Sequence, residues 1–128
     1  MSARLNLVAA LVIGLAGAAH AQNRQPISKS LTECSVIFTE LAELGTRRNK
    51  DQTTIDAALA SAALFVVEAR SQATQENVPD PYKYVQSEQT RLLEKWDGRF
   101  GRPLLLNENK DWIDYCRALG KDRGLTLP

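Results

Sequence analysis

The sequence predicts a small all-α protein, an up-and-down four-helix bundle in which one disulfide joins the first helix to the fourth. Four stretches of the chain repeat apolar side chains at helical spacing, and mostly short polar connections separate them. The only two cysteines, Cys34 and Cys116, lie on the apolar stripes of the first and last stretches. No convincing strand is visible, because the apolar run at 103–106 is too short to indicate one.

Residues 1–21 have the pattern of a cleavable signal peptide. Arg4 precedes an apolar stretch over 5–18, and the Ala-His-Ala sequence at 19–21 has the small-x-small form of a cleavage site. The apolar stretch is shorter than the ~20 residues that a membrane-spanning helix needs, although an uncleaved anchor is the alternative. We therefore expect an exported protein of the bacterial periplasm whose mature chain begins at Gln22.

Cleavage would change the chemistry that the chain offers. It removes His20, the single histidine, and Met1, the single methionine. It also takes one of the sixteen basic residues and none of the fifteen acidic ones, so the mature chain is neutral. A neutral chain has no general attraction to nucleic acid or to an anionic membrane, and we expect neither nucleic-acid binding nor stable membrane insertion after cleavage.

The mature chain suits one small domain. Residues 22–29 are predicted to be a flexible N-terminal segment, 30–120 the helical domain and 121–128 a C-terminal tail. Ser30 and Glu33 fit the S-x-x-E capping box, which predicts that the first helix begins at Ser30. Its apolar stripe includes Cys34, and Gly45 is predicted to end it.

The second helix is predicted to begin near Thr53 and to be the central helix of the bundle. Its run at 57–67 is apolar apart from Ser61, which is typical of a helix buried on several sides. The alanines in this run allow neighbouring helices to approach closely. The alternative is that this Ala-rich helix offers a face for self-association.

The third and fourth helices carry clearer end signals. Asp80 can cap the third helix and Pro81 suits its first position, where no backbone N–H is needed. The connection over 98–107 is the longest irregular segment. The fourth helix is predicted over 108–119, with Gly120 as its C-cap and with four apolar residues on one face: Trp112, Ile113, Cys116 and Leu119.

The cysteines are predicted to form a structural disulfide. Two cysteines in a small exported domain usually pair. In an up-and-down bundle the first and last helices are antiparallel neighbours. Cys34, near the start of the first helix, is therefore expected beside Cys116, near the end of the fourth. A redox-active pair would have C-x-x-C spacing, and a zinc site needs more ligands than two thiols.

Catalysis has little support in the sequence. Without His20 no imidazole is available as a general base, and the chain lacks the residues that hold haem. We predict no cofactor, no metal and no enzymatic activity. A small carboxylate-dependent hydrolase is the alternative, using the i,i+3 pairs Glu40 with Glu43 or Asp111 with Asp114.

Candidate binding residues lie in two basic loops. Arginines next to glycine backbone can hold an anion, and aromatic residues are enriched at interfaces. In an up-and-down bundle the first and third connections share one end, which would then be basic. The structural alternative is a tight double turn with Phe100 packed into the bundle end. The candidate partner-binding residues are Arg47, Arg48, Lys50, Trp96, Arg99, Phe100 and Arg102.

The sequence therefore predicts a non-catalytic periplasmic binding or protein-interaction module. The expected partner is another protein, or less favourably a small anion, at the basic end. Chaperone-like and toxin-neutralising roles are both open within this class, because no motif in the chain distinguishes them.

Overall fold

The computed structural model describes residues 25–128, and regular structure within that range is entirely helical. The predicted signal peptide at 1–21 and its cleavage site lie outside the described residues. Two short 3-10 turns connect the third helix to the fourth. The elements are α1 (Ile27–Arg47), α2 (Gln52–Gln75), α3 (Pro81–Trp96), the turns Arg99–Gly101 and Pro103–Leu105, and α4 (Leu106–Asp122).

The four helices form the predicted bundle. α1 and α2 are antiparallel: Ser28 Oγ at the start of α1 donates to Glu76 Oε1 just beyond α2, at 2.8 Å. At the other end of this hairpin, Gly45 of α1 packs against Ile55 of α2. α1 also contacts α3 and α4, so that the main core forms around α1.

The central helix is α1 and not α2, contrary to the sequence prediction. Every residue of α1 from Ser30 to Phe38 is buried. On α2, Leu59 and Val67 are 47% and 64% exposed, so one side of the apolar run faces solvent. The prediction failed because the sequence of α2 is more apolar than that of α1. α1 contains serine, threonine and glutamate, and a prediction from apolar spacing places such residues on the surface.

Apart from Glu40, the buried polar side chains of α1 find partners among the described residues. Thr32 Oγ1 donates to the carbonyl of Ser28 at 2.8 Å, and Ser35 Oγ donates to the carbonyl of Thr32 at 2.6 Å. The Glu33 carboxylate, 2% exposed, accepts from Trp96 Nε1 at 2.9 Å and from Lys95 Nζ at 2.5 Å. These bonds offset the cost of burying polar groups, so α1 can lie at the centre.

Glu33 therefore belongs to the core rather than to a capping box. α1 begins at Ile27 after Pro26, and Ser30 and Glu33 lie inside the helix. The predicted cap of α3 is confirmed, because Asp80 accepts from the backbone N–H of Lys83 and Pro81 occupies the first turn.

Two glycines that were predicted to end helices instead allow close packing. α1 continues past Gly45 and α4 continues past Gly120. A Cβ atom at Gly45 would lie 3.2 Å from Ile55 Cγ1, and one at Gly120 would lie 3.2 Å from Phe65 Cζ. The chain leaves α4 through Gly124, whose φ of 75° is one that glycine tolerates well.

The predicted disulfide is present. Cys34 of α1 and Cys116 of α4 are bonded, with their Cα atoms 5.4 Å apart and both side chains fully buried. Trp112 and Cys116 lie in the core, and Ile113 and Leu119 pack against it, as the apolar face of α4 predicts.

Beyond α4, the chain returns over α2. Arg123 Nε donates to Glu68 Oε1 at 3.0 Å, and Leu127 packs against Gly120. Within residues 25–128, no helix is both long enough and apolar enough to cross a bilayer.

Candidate functional site

The connection between α3 and α4 is held firmly at its base. Arg99 lies over the Trp96 ring, with its guanidinium carbon 4.5 Å from the ring centroid. Its Nε donates to Asn109 Oδ1 at 3.2 Å, its Nη2 pairs with Glu108, and Asn109 Nδ2 donates back to the Arg99 carbonyl at 3.1 Å. Arg99 therefore joins the two helices that the connection links.

Aromatic stacking fixes the same connection from inside. Phe100 stacks on Trp96 with ring centroids 5.5 Å apart, and Trp112 meets Trp96 edge to face at 5.8 Å. Trp96 is fully buried and Phe100 is 8% exposed. These two predicted partner-binding residues therefore hold the base of the loop, and their rings offer almost no surface to a partner.

The tip of this connection exposes apolar surface. Leu104 is 99% exposed and Leu106 is 61% exposed, and the neighbouring Arg102 is also exposed. We call Leu104 and Leu106 the leucine tip. Backbone bonds from Arg102 to Arg99 and from Leu105 to Arg102 shape the turns that present it. Neither leucine was predicted as a candidate, because the apolar run at 103–106 was considered only as a possible strand.

The other predicted basic loop borders an open groove of about 480 Å³ at the loop end of the α1–α2 hairpin. Apolar residues of both helices form most of its floor, and three cationic side chains, Arg48, Lys50 and Arg117, border it. Arg117, from α4, was not among the predicted residues. The floor residues include Phe38, Leu41, Leu44, Ile55, Ala57 and Ala58.

Only one of the two predicted basic loops lines the groove. Arg48 and Lys50 line the groove, whereas Arg99 and Arg102 do not, and Arg99 is bound to the start of α4. Arg47 is exposed and pairs with Glu43 one turn earlier, at 3.7 Å. Trp96, at the end of α3, meets Glu33 in the second turn of α1, and no residue of α3 or of the third connection lines the groove.

The predicted pair of Glu40 and Glu43 consists of one buried and one exposed carboxylate. Glu40 is 4% exposed and makes no hydrogen bond or ion pair with another described residue. Burial, followed by the charges of Glu43 and Asp97, raises the pKa of the Glu40 carboxyl, and Arg47 opposes this shift. None of these groups lines the groove.

The second acidic pair is a solvated helix face. Lys110 Nζ donates to Asp114 at 2.5 Å, and both side chains are exposed, as is Asp111. Among residues 25–128, no group of three or more histidine, cysteine, aspartate or glutamate side chains is arranged to hold a metal ion.

Comparison of the chain with protein families, with curated proteins and with solved structures finds no match. The function is therefore inferred from the two surfaces described above.

Proposed function

We propose that this protein is a non-catalytic binding module that docks on a partner protein through the leucine tip. The observation that carries the proposal is the nearly complete exposure of Leu104 on a connection whose base is fixed. Burial of an exposed leucine in a partner's pocket is favourable. Because the base of the connection is already held in place, less entropy is lost when the leucine binds.

The chemistry of the tip indicates the kind of partner. Leu104 and Leu106 require an apolar pocket. The exposed Arg102 guanidinium, which pairs with no described residue, suits a carboxylate at the rim of that pocket. A membrane is a poorer fit, because the predicted mature chain is neutral and two leucines with one arginine give only weak attachment.

The tip can be tested with matched variants of the full chain. Immobilised wild-type protein, Leu104→Ser/Leu106→Ser and Leu59→Ser/Val67→Ser would each be used to capture proteins from periplasmic extract. The second pair removes two exposed aliphatic side chains from α2 instead. We expect a protein that wild type and the α2 variant retain and the tip variant loses.

The captured protein would then be purified and titrated against each variant. Burial of two leucines is worth a few kcal/mol, so the tip variant should bind at least tenfold more weakly. Its melting temperature should be unchanged, because the replaced side chains are exposed. Equal affinities for the three proteins would contradict the proposal.

The α2 variant also tests the predicted self-association. Leu59, Ala60, Ala63 and Val67 are all exposed on α2. Sedimentation of wild type and of Leu59→Ser/Val67→Ser measures whether these residues join two copies. A wild-type dimer that the α2 variant loses would support self-association, and a wild-type monomer at high concentration would exclude it.

A further inference from the structure

We infer that the groove at the loop end of the α1–α2 hairpin is a second binding site, which takes a long single-chain amphiphile with an anionic head. The ligand class is that of a long-chain carboxylate. This inference does not depend on the leucine tip, because no residue of the tip lines the groove.

The shape of the groove results from unequal helix lengths. α1 and α2 extend to Arg47 and Gln52, whereas α3 ends at Trp96, which binds Glu33 in the second turn of α1, and no residue of α3 lines the groove. The loop end of the α1–α2 hairpin therefore lacks cover from α3. Arg117 of α4 and Pro128 reach only its border, so an apolar floor stays open to solvent.

The dimensions of the groove suit one acyl chain. It extends along α1 from Phe38 to Arg48, which is about 15 Å at 1.5 Å per residue. The acyl chains of one bilayer leaflet span a hydrocarbon thickness of about 15 Å. One such chain therefore matches the length of the groove. A volume of about 480 Å³ also falls within the usual range for small-molecule sites.

The charges around the groove indicate the head group. Arg48 and Lys50 lie together at the loop end of the groove, and neither forms an ion pair with another described residue. Arg117 lies toward the Phe38 end, because it follows Cys116, which is bonded to Cys34 one turn before Phe38. No aspartate or glutamate among residues 25–128 lines the groove. A ligand that places an apolar chain on the floor and a carboxylate beside Arg48 and Lys50 satisfies these features.

The hydroxyl groups near the cations add hydrogen-bonding capacity at the same end. Thr53 and Thr54 line the groove close to Lys50, in the first turn of α2. The floor deeper along α2 has small side chains, Ala57 and Ala58, which leave room for an alkyl chain. The loop end of the groove therefore offers cations and hydroxyl groups to a head group, and the floor between α1 and α2 offers apolar surface to an alkyl chain.

Calorimetric titration of the full chain with dodecanoate tests the inference, at concentrations below micelle formation. Monolaurin has the same alkyl chain with an uncharged head, and dodecyltrimethylammonium has it with a cationic head. We expect one dodecanoate per chain, with monolaurin at least tenfold weaker and the cationic probe weaker still, because charge-assisted hydrogen bonds are lost. Absence of dodecanoate binding, or equal binding of the three probes, would overturn the inference.

Two variants locate the site. Arg48→Ala/Lys50→Ala should weaken dodecanoate at least tenfold, whereas Lys83→Ala/Lys121→Ala, which removes two exposed cations elsewhere, should leave it unchanged. Ala58→Trp fills the floor and should abolish binding, and an unchanged thermal melt would show that this variant folds. Dodecanoate affinity that these groove variants do not alter would place the ligand elsewhere and refute the site.

Two other occupants are distinguishable in the same experiments. A wild-type dimer that Arg48→Ala/Lys50→Ala dissociates would show that a second copy covers the groove, and would overturn the amphiphile. Preferential binding of an amphipathic Glu- and Leu-rich peptide over dodecanoate would overturn it as well. Failure here leaves the leucine-tip test unaffected, because that test measures a protein partner and different residues.

Discussion

Reduction of the Cys34–Cys116 bond should lower the free energy of unfolding by about 4.5 kcal/mol. The bonded residues are 82 apart in sequence, and closing a loop of this length removes roughly 15 cal/mol/K of entropy from the unfolded chain. The free energy of unfolding of a small domain is only about 5–15 kcal/mol, so the bond provides a large share of the stability. The reduced protein should be marginally folded.

The assay is urea unfolding followed by circular dichroism, with and without a strong reductant. For a urea dependence of about 1.5 kcal/mol/M, the midpoint should fall by about 3 M. Reduction keeps both sulfur atoms in the core, so it tests the cross-link rather than the volume of the side chains. Cys34→Ala/Cys116→Ala should unfold at the same urea concentration in either buffer, which controls for effects of the reductant.

A loss of less than about 1 kcal/mol on reduction would contradict this role of the bond. The stability of the bundle would then come from packing around α1, and the unfolded chain would already be compact without the bond.

Two further substitutions test the buried carboxylates. Trp96→Phe should lower the free energy of unfolding by about 2–3 kcal/mol, because the buried Glu33 carboxylate loses a donor. Trp112→Phe also removes an indole ring, but one without a hydrogen bond to a carboxylate, so it should cost less in the same urea assay. Equal losses for the two variants would contradict the role of this bond. Glu40→Gln should raise stability at neutral pH, since burial raises the pKa of Glu40 and the charged form is disfavoured in the folded state. Wild-type stability should fall as the pH rises from the ordinary glutamate pKa through the raised folded value, and Glu40→Gln should remove this fall. Glu43→Gln changes an exposed carboxylate and should keep the fall in stability with pH. Parallel pH profiles for wild type and Glu40→Gln would show that Glu40 is not the group responsible.

The helices were largely predictable because they depend on local signals. The Asp80 side chain and the Pro81 ring mark the start of α3, and the apolar spacing of α4 places Cys116 on its inner face. The pairing of Cys34 with Cys116 needed one assumption beyond these signals, the up-and-down order of the helices, because the two residues are 82 apart in sequence.

The candidate sites were only partly predictable. The sequence identified two basic loops and left two roles open for Phe100, a binding anchor or a ring packed into the bundle end, and it did not single out Leu104 or Arg117. The structure shows the packed ring. Burial of Phe100 depends on Trp96, which is itself fixed by Glu33 in a distant part of the chain. Phe100 is buried, whereas Leu104 and Leu106, which follow it, are exposed.

Four helices in order could be read from the sequence, because the apolar repeat of a helix is a property of a short segment, and the two cysteines pair once these helices form an up-and-down bundle. The central position of α1 and the packing roles of Gly45 and Gly120 depend on how the helices meet. The same holds for the groove, which only one of the two basic loops lines. The physical reason is that burial and hydrogen-bond satisfaction depend on which helices meet, and Glu33 can lie in the core only because Trp96 and Lys95 reach it there.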